Sequence, residues 1–198
     1  MAGERLTVII PVYNEEKTVG EIIRQVKAEA HQKQIIVVND GSTDNTESVL
    51  RSLAGSGLDI ISYSPNQGKG YAIRQAVLKA TGDIVIIQDA DLEYYPDEYG
   101  LLIDKIVQGK ADVVYGTRFV GSHRVFYFYH FLGNFILNMM ANLILNTTLS
   151  DLMTGAKAFR APVIKSLKLR ANRFGIEAEI TAEIFRRKYR VYEVPVSY

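Results

Sequence analysis

The sequence predicts an α/β fold, a mostly parallel sheet sandwiched by helices in a single domain. Three observations carry that prediction. Strand-like and helix-like runs alternate through the first two thirds of the 198 residues. The strand-like runs IIVV, DIVII and DVVYG are almost entirely apolar, as strands covered on both faces have to be. Polar residues collect just beyond these runs, which equips one edge of the sheet for chemistry.

In chain order, LTVIIPV (6–12) is a short run of β-formers, and EEKTVGEIIRQVKAEA places Val19, Ile22, Ile23 and Val26 at helical spacing. QIIVVND (34–40) is a strand ending on a carboxylate. STDNTESVLRSLAGSG opens on capping residues and closes on glycines, a helix with its punctuation. LDIISYS (58–64) is a strand, and QGKGYAIRQAVLKATG is a glycine-led helix. DIVIIQDAD (83–91) is a strand, YPDEYGLLIDKIVQGK a helix with Pro96 near its first turn, and ADVVYGTRF (111–119) another strand. Beyond residue 119 the rhythm changes. VGSHRVFYFYHF leads into an apolar helix whose Asn134, Asn138, Asn142 and Asn146 recur every four residues and so share a stripe. SDLMTGAKAFR, a short helix, a helix around GIEAEITAEIFRRK and a last strand in YRVYEVPVSY follow.

The totals narrow the function. Composition is 47% hydrophobic and 23% charged, ordinary for a soluble globular domain. A net charge of +1 gives no global field for nucleic acid. The lack of cysteine excludes disulfides and thiolate metal sites and fits a cytoplasmic, reducing setting. The N-terminal apolar run is short and acids follow at once, unlike a signal peptide. Residues 131–149 come nearest to a membrane span, but an asparagine stripe suits an interfacial or packed helix better than a lone spanning one.

The strand ends deliver Pro11, Tyr13, Asn14 and Glu15; then Asn39, Asp40, Ser42, Thr43 and Asp44; then Asn66, Gln67, Gly68 and Lys69; then Asp89, Asp91 and Glu93; then Thr117 and Arg118. Ser42 and Asp44 also suit the capping of a helix N-terminus. QDADLEYYP (88–96) crowds three carboxylates that repel one another. A divalent cation with hard oxygen ligands, Mg2+ or Mn2+ shared with a diphosphate, relieves that repulsion. With no cysteine and three scattered histidines, the pattern argues against zinc.

PVYNEE, VVNDGSTDNT, NQGKGYAIRQA, QDADLEYYP and GTRF, in this order, resemble the nucleotide-binding half of family-two glycosyltransferases of the GT-A (Rossmann-like) fold, over about residues 5–120. DLMTGAKAFR, FGIEAEITAEIFRR and VYEVPVSY resemble the dolichyl-phosphate mannose (or glucose) synthase branch and its bacterial polyprenyl-phosphate relatives. The resemblance thus implies one domain over 1–198, with 121–198 as its acceptor side. It implies that Pro11, Tyr13 and Glu15 line the base and ribose pocket, and that Asp40 reads the base with Val38 beside it. Gly68 and Lys69 would lie along the nucleotide. Asp89, Ala90 and Asp91 would meet the diphosphate, and Asp89, Asp91 and Glu93 would hold Mg2+ or Mn2+; the synthases often carry glutamine where Glu93 stands. Arg118 would meet phosphate on donor or acceptor, with Arg124 and His130 the next acceptor-phosphate candidates.

The implied activity is metal-dependent transfer of a hexose from GDP-mannose or UDP-glucose to a polyprenyl or dolichyl phosphate, at the cytoplasmic face of a membrane. Asp91, Arg118 and Asp151 are the residues expected to carry it. A lipid phosphate is already ionised and needs no general base; a sugar or small hydroxyl acceptor would need one, and Asp151 is the candidate. A catalytically silent nucleotide-sugar-binding module is the rival from another class. The absence of a QxxRW motif favours single transfers over polymer synthesis. The aromatics of FYFYHF suit a membrane interface, where a prenyl chain must be met. Glu177 and Glu179 fall on different sides of their helix, and Glu179 is expected to play a structural role near the site. Arg186, Arg187 and Lys188 form a basic cluster suited to a solvated helix end or to anionic lipid. The resembled family usually continues past the VPVSY strand into a basic segment that folds over the donor phosphates; this sequence ends at Tyr198, so either the chain is shortened or that lid is missing, and weaker donor binding is the expectation in either case.

Overall fold

The computed structural model describes residues 4–55, 57–121 and 127–198. Seven strands form one sheet: β1 (Leu6–Val12), β2 (Lys33–Asp40), β3 (Leu58–Tyr63), β4 (Ile84–Ile87), β5 (Val113–Thr117), β6 (Lys157–Arg160) and β7 (Val191–Pro195). Their order across the sheet is β3-β2-β1-β4-β6-β5-β7. All neighbours run parallel except β6, which is antiparallel to both β4 and β5. The helices are α1 (Val19–Ala28), α2 (Thr46–Ser52), α3 (Lys69–Lys79), α4 (Tyr99–Val107), α5 (Phe128–Leu145), α6 (Ala161–Ser166) and α7 (Ile176–Arg186).

The apolar strands are shared alternately between two cores, because successive side chains leave a strand on opposite faces. Val8, Ile10, Ile35, Val37, Ile84 and Ile86 pack with residues of α1, α2 and α4. Ile9, Ile36, Val38, Val85 and Ile87 pack on the other face with residues of α3, α6 and α7. The helical spacing read in α1 is the buried stripe itself: Val19, Ile22, Ile23 and Val26 are all enclosed. Each such side chain contributes about 1.5–3 kcal/mol on burial.

Two elements depart from the sequence reading. AKAFR becomes β6, an antiparallel strand slotted between β4 and β5. Four residues give little periodicity to read, and the strand exists because two flanking strands offer it a full set of ladder bonds. The second is α5, of whose asparagine stripe only Asn138 and Asn142 face the protein, while Asn134 donates to the His130 carbonyl of its own helix and Asn146 is exposed. Asn138 donates to the Ser150 carbonyl and accepts from the Leu152 N–H at 2.8 Å. Asn142 does the same with Leu149, at 2.8 and 3.0 Å. The helix is thus docked through amide hydrogen bonds, and Asn138 is its one buried residue.

Candidate functional site

Four strand ends meet at a cavity of ≈ 370 Å³ lined by Pro11, Val12, Tyr13, Glu15, Asp40, Asn66, Gly68, Lys69, Asp89, Ala90, Asp91, Arg173 and Phe174. It lies at the carboxyl edge of β1, β2, β3 and β4, where an open α/β sheet leaves a crevice. Of the sequence-predicted nucleotide set, all line the cavity except Val38. That side chain is fully enclosed in the α3-side core, because it sits two residues back from the end of β2, where α3 covers the sheet.

Two loops close one wall. Asn14 takes a left-handed backbone, φ 57°. Its N–H donates to Ser42 Oγ at 3.0 Å, and its side chain accepts from the Thr43 N–H at 2.8 Å. Asp44 accepts from the N–H groups of Thr46 and Glu16. The Asp40 carboxylate, almost wholly buried, accepts from the N–H groups of Gln67 and Gly68 at 2.7 Å each and from Asn66 Nδ2 at 2.9 Å. Its charge therefore shapes the 66–68 loop that forms the rim. Gly68 has φ +101°, and a side chain there would collide with the Asn172 carbonyl and lie 2.9 Å from Arg173 Cγ. The loop before α7 can press against α3 only because nothing projects from that position.

The acidic segment turns at Leu92, a non-glycine residue at φ 65°. The turn is pinned from below: buried Gln88 donates to the Tyr94 carbonyl at 3.2 Å and accepts from Tyr99 Oη at 2.9 Å. Asp91 accepts from the Glu93 N–H at 3.1 Å. Burial, reinforced by the charges of Asp89, Glu93 and Glu15 and opposed by that N–H, pushes the Asp91 carboxyl above its ordinary value. Gly155 lies against Asp89, leaving no room for a side chain.

The carboxylates are not gathered into a three-ligand cage: among the described residues no group of three histidine, cysteine or acidic side chains has metal-holding geometry. Of the expected set, Asp89 and Asp91 line the crevice and Glu93 does not. Glu93 instead interacts with Tyr198, and burial followed by that carboxylate raises the Tyr198 pKa. Asp89 already holds a cation, Lys69, with Nζ 2.7 Å from Oδ1 and 3.0 Å from Oδ2. Hard oxygen donors in a crowded acidic turn suit Mg2+ or Mn2+, which usually takes one or two carboxylates and completes its shell with phosphate and water.

Behind Lys69 lies a feature the sequence reading missed. Glu177, buried at the start of α7, stands 3.1 Å from Lys69 Nζ and 2.6 Å from Lys157 Nζ. Lys157 is fully enclosed on β6, bonded also to the Thr154 carbonyl and lying 5.0 Å from the Tyr115 ring centre. Burial raises the Glu177 pKa, but the two ammonium groups outweigh it and hold the carboxyl below its ordinary range. Burial lowers the Lys69 pKa, but Asp89 and Glu177 outweigh it, and the net shift is upward. Glu179 accepts from the N–H groups of Arg170 and Ala171, so it supports the loop that carries Arg173 and Phe174 into the cavity.

Arg118 and Asp151 form one unit. Nε donates to Oδ2 at 2.7 Å, Nη2 to Oδ1 at 2.9 Å, and the Arg118 N–H to Oδ2 at 3.2 Å. Asp151 is fully buried, and both its carboxylate oxygens are engaged by Arg118. The guanidinium lies 4.8 Å from the Tyr198 ring centre. Next to it opens a second cavity of ≈ 460 Å³, apolar, lined by Phe119, Phe131, Phe135, Asn138, Met139, Asn142, Leu149 and Ser150. His130 is exposed on α5 and lines neither cavity, and Arg124 lies outside the described residues.

A parallel-rich α/β sheet with a crevice, a tight acidic turn and a basic helix start at its carboxyl edge defines a nucleotide-binding transferase of the GT-A kind. The chain belongs to glycosyl transferase family 2, whose family model matches residues 7–168, and it is a glycosyltransferase. It is 28% identical over 193 residues to the dolichyl-phosphate hexose transferase of Haloferax volcanii, covering 98% of this chain and 82% of that one. It is 30% identical over 200 residues to the undecaprenyl-phosphate 4-deoxy-4-formamido-L-arabinose transferase of Salmonella paratyphi A, covering 98% of this chain and 59% of that one. Glucosyl-3-phosphoglycerate synthase from Mycobacterium tuberculosis, crystallised with Mn2+, UDP and glucosyl-3-phosphoglycerate, shares the fold with a TM-score of 0.81 at 22% identity, covering 99% of this chain and 71% of that one.

Proposed function

We propose that this glycosyltransferase moves a hexose from a nucleoside-diphosphate sugar, GDP-mannose or UDP-glucose, to a polyprenyl or dolichyl phosphate at the cytoplasmic face of a membrane. The single observation that carries the lipid acceptor is an apolar groove that opens beside the Arg118 guanidinium. Phe119, next to Arg118, and Ser150, next to its partner Asp151, both line that groove, and Tyr198, whose ring centre lies 4.8 Å from the guanidinium, interacts with Glu93 of the acidic turn. The outward face of α5 beside that groove exposes Phe128, Phe135, Ile136, Met140, Leu143 and Ile144. A patch so apolar needs a partner, and α5 is long and apolar enough to cross a membrane by length and composition. The names of the Haloferax and Salmonella relatives point the same way.

In this reading the donor's nucleoside lies between Pro11, Tyr13 and Glu15, on the rim shaped by Asp40. Asp89 and Asp91 hold Mg2+ or Mn2+ together with the diphosphate, and the ion would supply charge neutralisation for the departing nucleoside diphosphate. An oxygen of the lipid phosphate forms the new bond to the anomeric carbon. The bond from that carbon to the diphosphate oxygen breaks, and the leaving diphosphate takes its electron pair. No proton moves, so no base is needed, which agrees with Asp151 being spent on Arg118. Arg118 orients the acceptor phosphate from a fixed position, since Asp151 and Tyr198 hold its guanidinium.

The test is transfer of radiolabel from GDP-mannose and UDP-glucose to a short polyprenyl phosphate in detergent, counted in the organic phase, with and without EDTA. Metal-dependent label from one donor is the expected result. Label passing only to water-soluble acceptors would overturn the lipid-phosphate reading.

A further inference from the structure

Lys69 stands at an unusual place for a cation. It opens α3, where the helix dipole presents positive potential, and the first turn has no acidic residue to offset it. Its ammonium is instead held by two carboxylates of different elements, Asp89 after β4 and Glu177 on α7. The two anchors are not equivalent. Glu177 is buried and fixed by Lys157 at 2.6 Å, itself fully enclosed. Asp89 lies on the cavity wall, partly exposed, beside Asp91. Glu177 Oε1 faces the Lys69 ammonium at 3.1 Å, while Oε2 is taken by Lys157. An ammonium held by one buried and one partly exposed carboxylate can keep the first while another cation takes over the second.

We propose that Lys69 is a displaceable internal counter-ion of the donor site, tethered by Glu177, which covers Asp89 until a divalent cation and diphosphate arrive and then turns its charge onto the diphosphate. The proposal rests on the donor-site reading above and assigns to Glu177 the part of a positioning residue acting through Lys69. With the site empty, Lys69 offsets the repulsion that would otherwise act on Asp89 beside Asp91. With the donor present, the cation takes that part, and Lys69 is left at a helix N-terminus with its charge toward the phosphates. Glu177 keeps the ammonium from being lost to solvent between the two arrangements.

A counter-ion of this kind has opposite effects on two equilibria, and an ordinary structural lysine does not. In Lys69→Met, Mn2+ alone, followed by the loss of the free-ion paramagnetic resonance signal, should bind at least about fivefold more tightly, because Asp89 is no longer covered. At saturating Mn2+, calorimetry should find GDP or UDP bound about tenfold more weakly, with GMP or UMP changed less. Unchanged or weaker Mn2+ binding in the folded variant would overturn the proposal. Should the variant not fold, the wild type decides. Its Lys69 ammonium signal, assigned by its loss in Lys69→Arg, should shift as Mg2+ is added. A static Lys69 signal, while the backbone amides of residues 89–91 report Mg2+ binding, would refute the displacement, as would amides that report no binding. The two readings fail separately. Tighter Mn2+ binding in Lys69→Met with no nucleoside diphosphate binding in the wild type keeps the counter-ion and removes the donor site. The converse keeps the donor site and removes the counter-ion.

Discussion

α1 and α5 solve the same problem in opposite ways. α1 buries Val19, Ile22, Ile23 and Val26 and shows water its charged residues. α5 turns Asn138 and Asn142 toward the protein and most of its leucines, phenylalanines and methionines outward. The contrast extends to the two halves of the chain. The first half is held by apolar side chains in two layers and keeps its polar groups at the sheet edge. The second half puts charge inside, in Lys157–Glu177 and Arg118–Asp151, and leaves apolar surface outside. A hydrophobic sequence run therefore states that a surface avoids water, and says nothing about whether protein or lipid covers it.

The widest break in this comparison comes from the buried charges. Glu177→Ala leaves Lys157 enclosed without its carboxylate and should cost about 3–5 kcal/mol. Ile22→Ala in α1 should cost about 2–5 kcal/mol by leaving a cavity. Urea unfolding of both checks it, and a Glu177→Ala cost under about 1 kcal/mol would end the claim that the second half depends on its internal charges. Next is Asn138→Leu, which makes α5 more apolar yet strands the Leu152 N–H and the Ser150 carbonyl; it should destabilise by about 1–3 kcal/mol. Leu143→Ser, at a position 84% exposed, should stay within about 0.5 kcal/mol in solution. The reverse ranking would mean that α5 packs through its apolar face.

The smallest effect sharpens the site. The Asp91 carboxyl is pushed above its ordinary value of 3.8, by burial first and then by neighbouring carboxylates. A raised acid favours the fold below its unfolded pKa, and that advantage is lost as pH rises through the folded pKa. At neutral pH the ionised Asp91 is thus a burden. Asp91→Asn should raise the metal-free melting temperature slightly at pH 7, with the gain vanishing as pH falls toward 3.8. Scanning calorimetry across that range measures it; a lower melting temperature at pH 7 would mean that Asp91 is stabilised by its surroundings.

Much of the fold was legible because strands and helices of the first half differ in period and in punctuation, and the strand-end residues that line the crevice stand out against apolar runs. β6 was not legible, since AKAFR has neither length nor alternation. Nor were Arg173 and Phe174, which reach the crevice from a loop more than a hundred residues after Asp40. Glu177 and Lys157 look like surface residues in any window of sequence. Val38 looked like a site residue because it precedes Asp40 by two.

By itself, then, the sequence determined the α/β alternation, the apolar strands, the acidic turn at 89–93 and the helix start at Gly68–Lys69, because each is a local matter of period, charge and backbone freedom. Only the tertiary structure decided that Asn138 and Asn142 face inward, that Asp151 is bound to Arg118, and that Asp89, Lys69, Glu177 and Lys157 form one line of alternating charge. Those depend on which carboxylate meets which cation across strands and helices distant in sequence, and local pattern carries no information about that pairing.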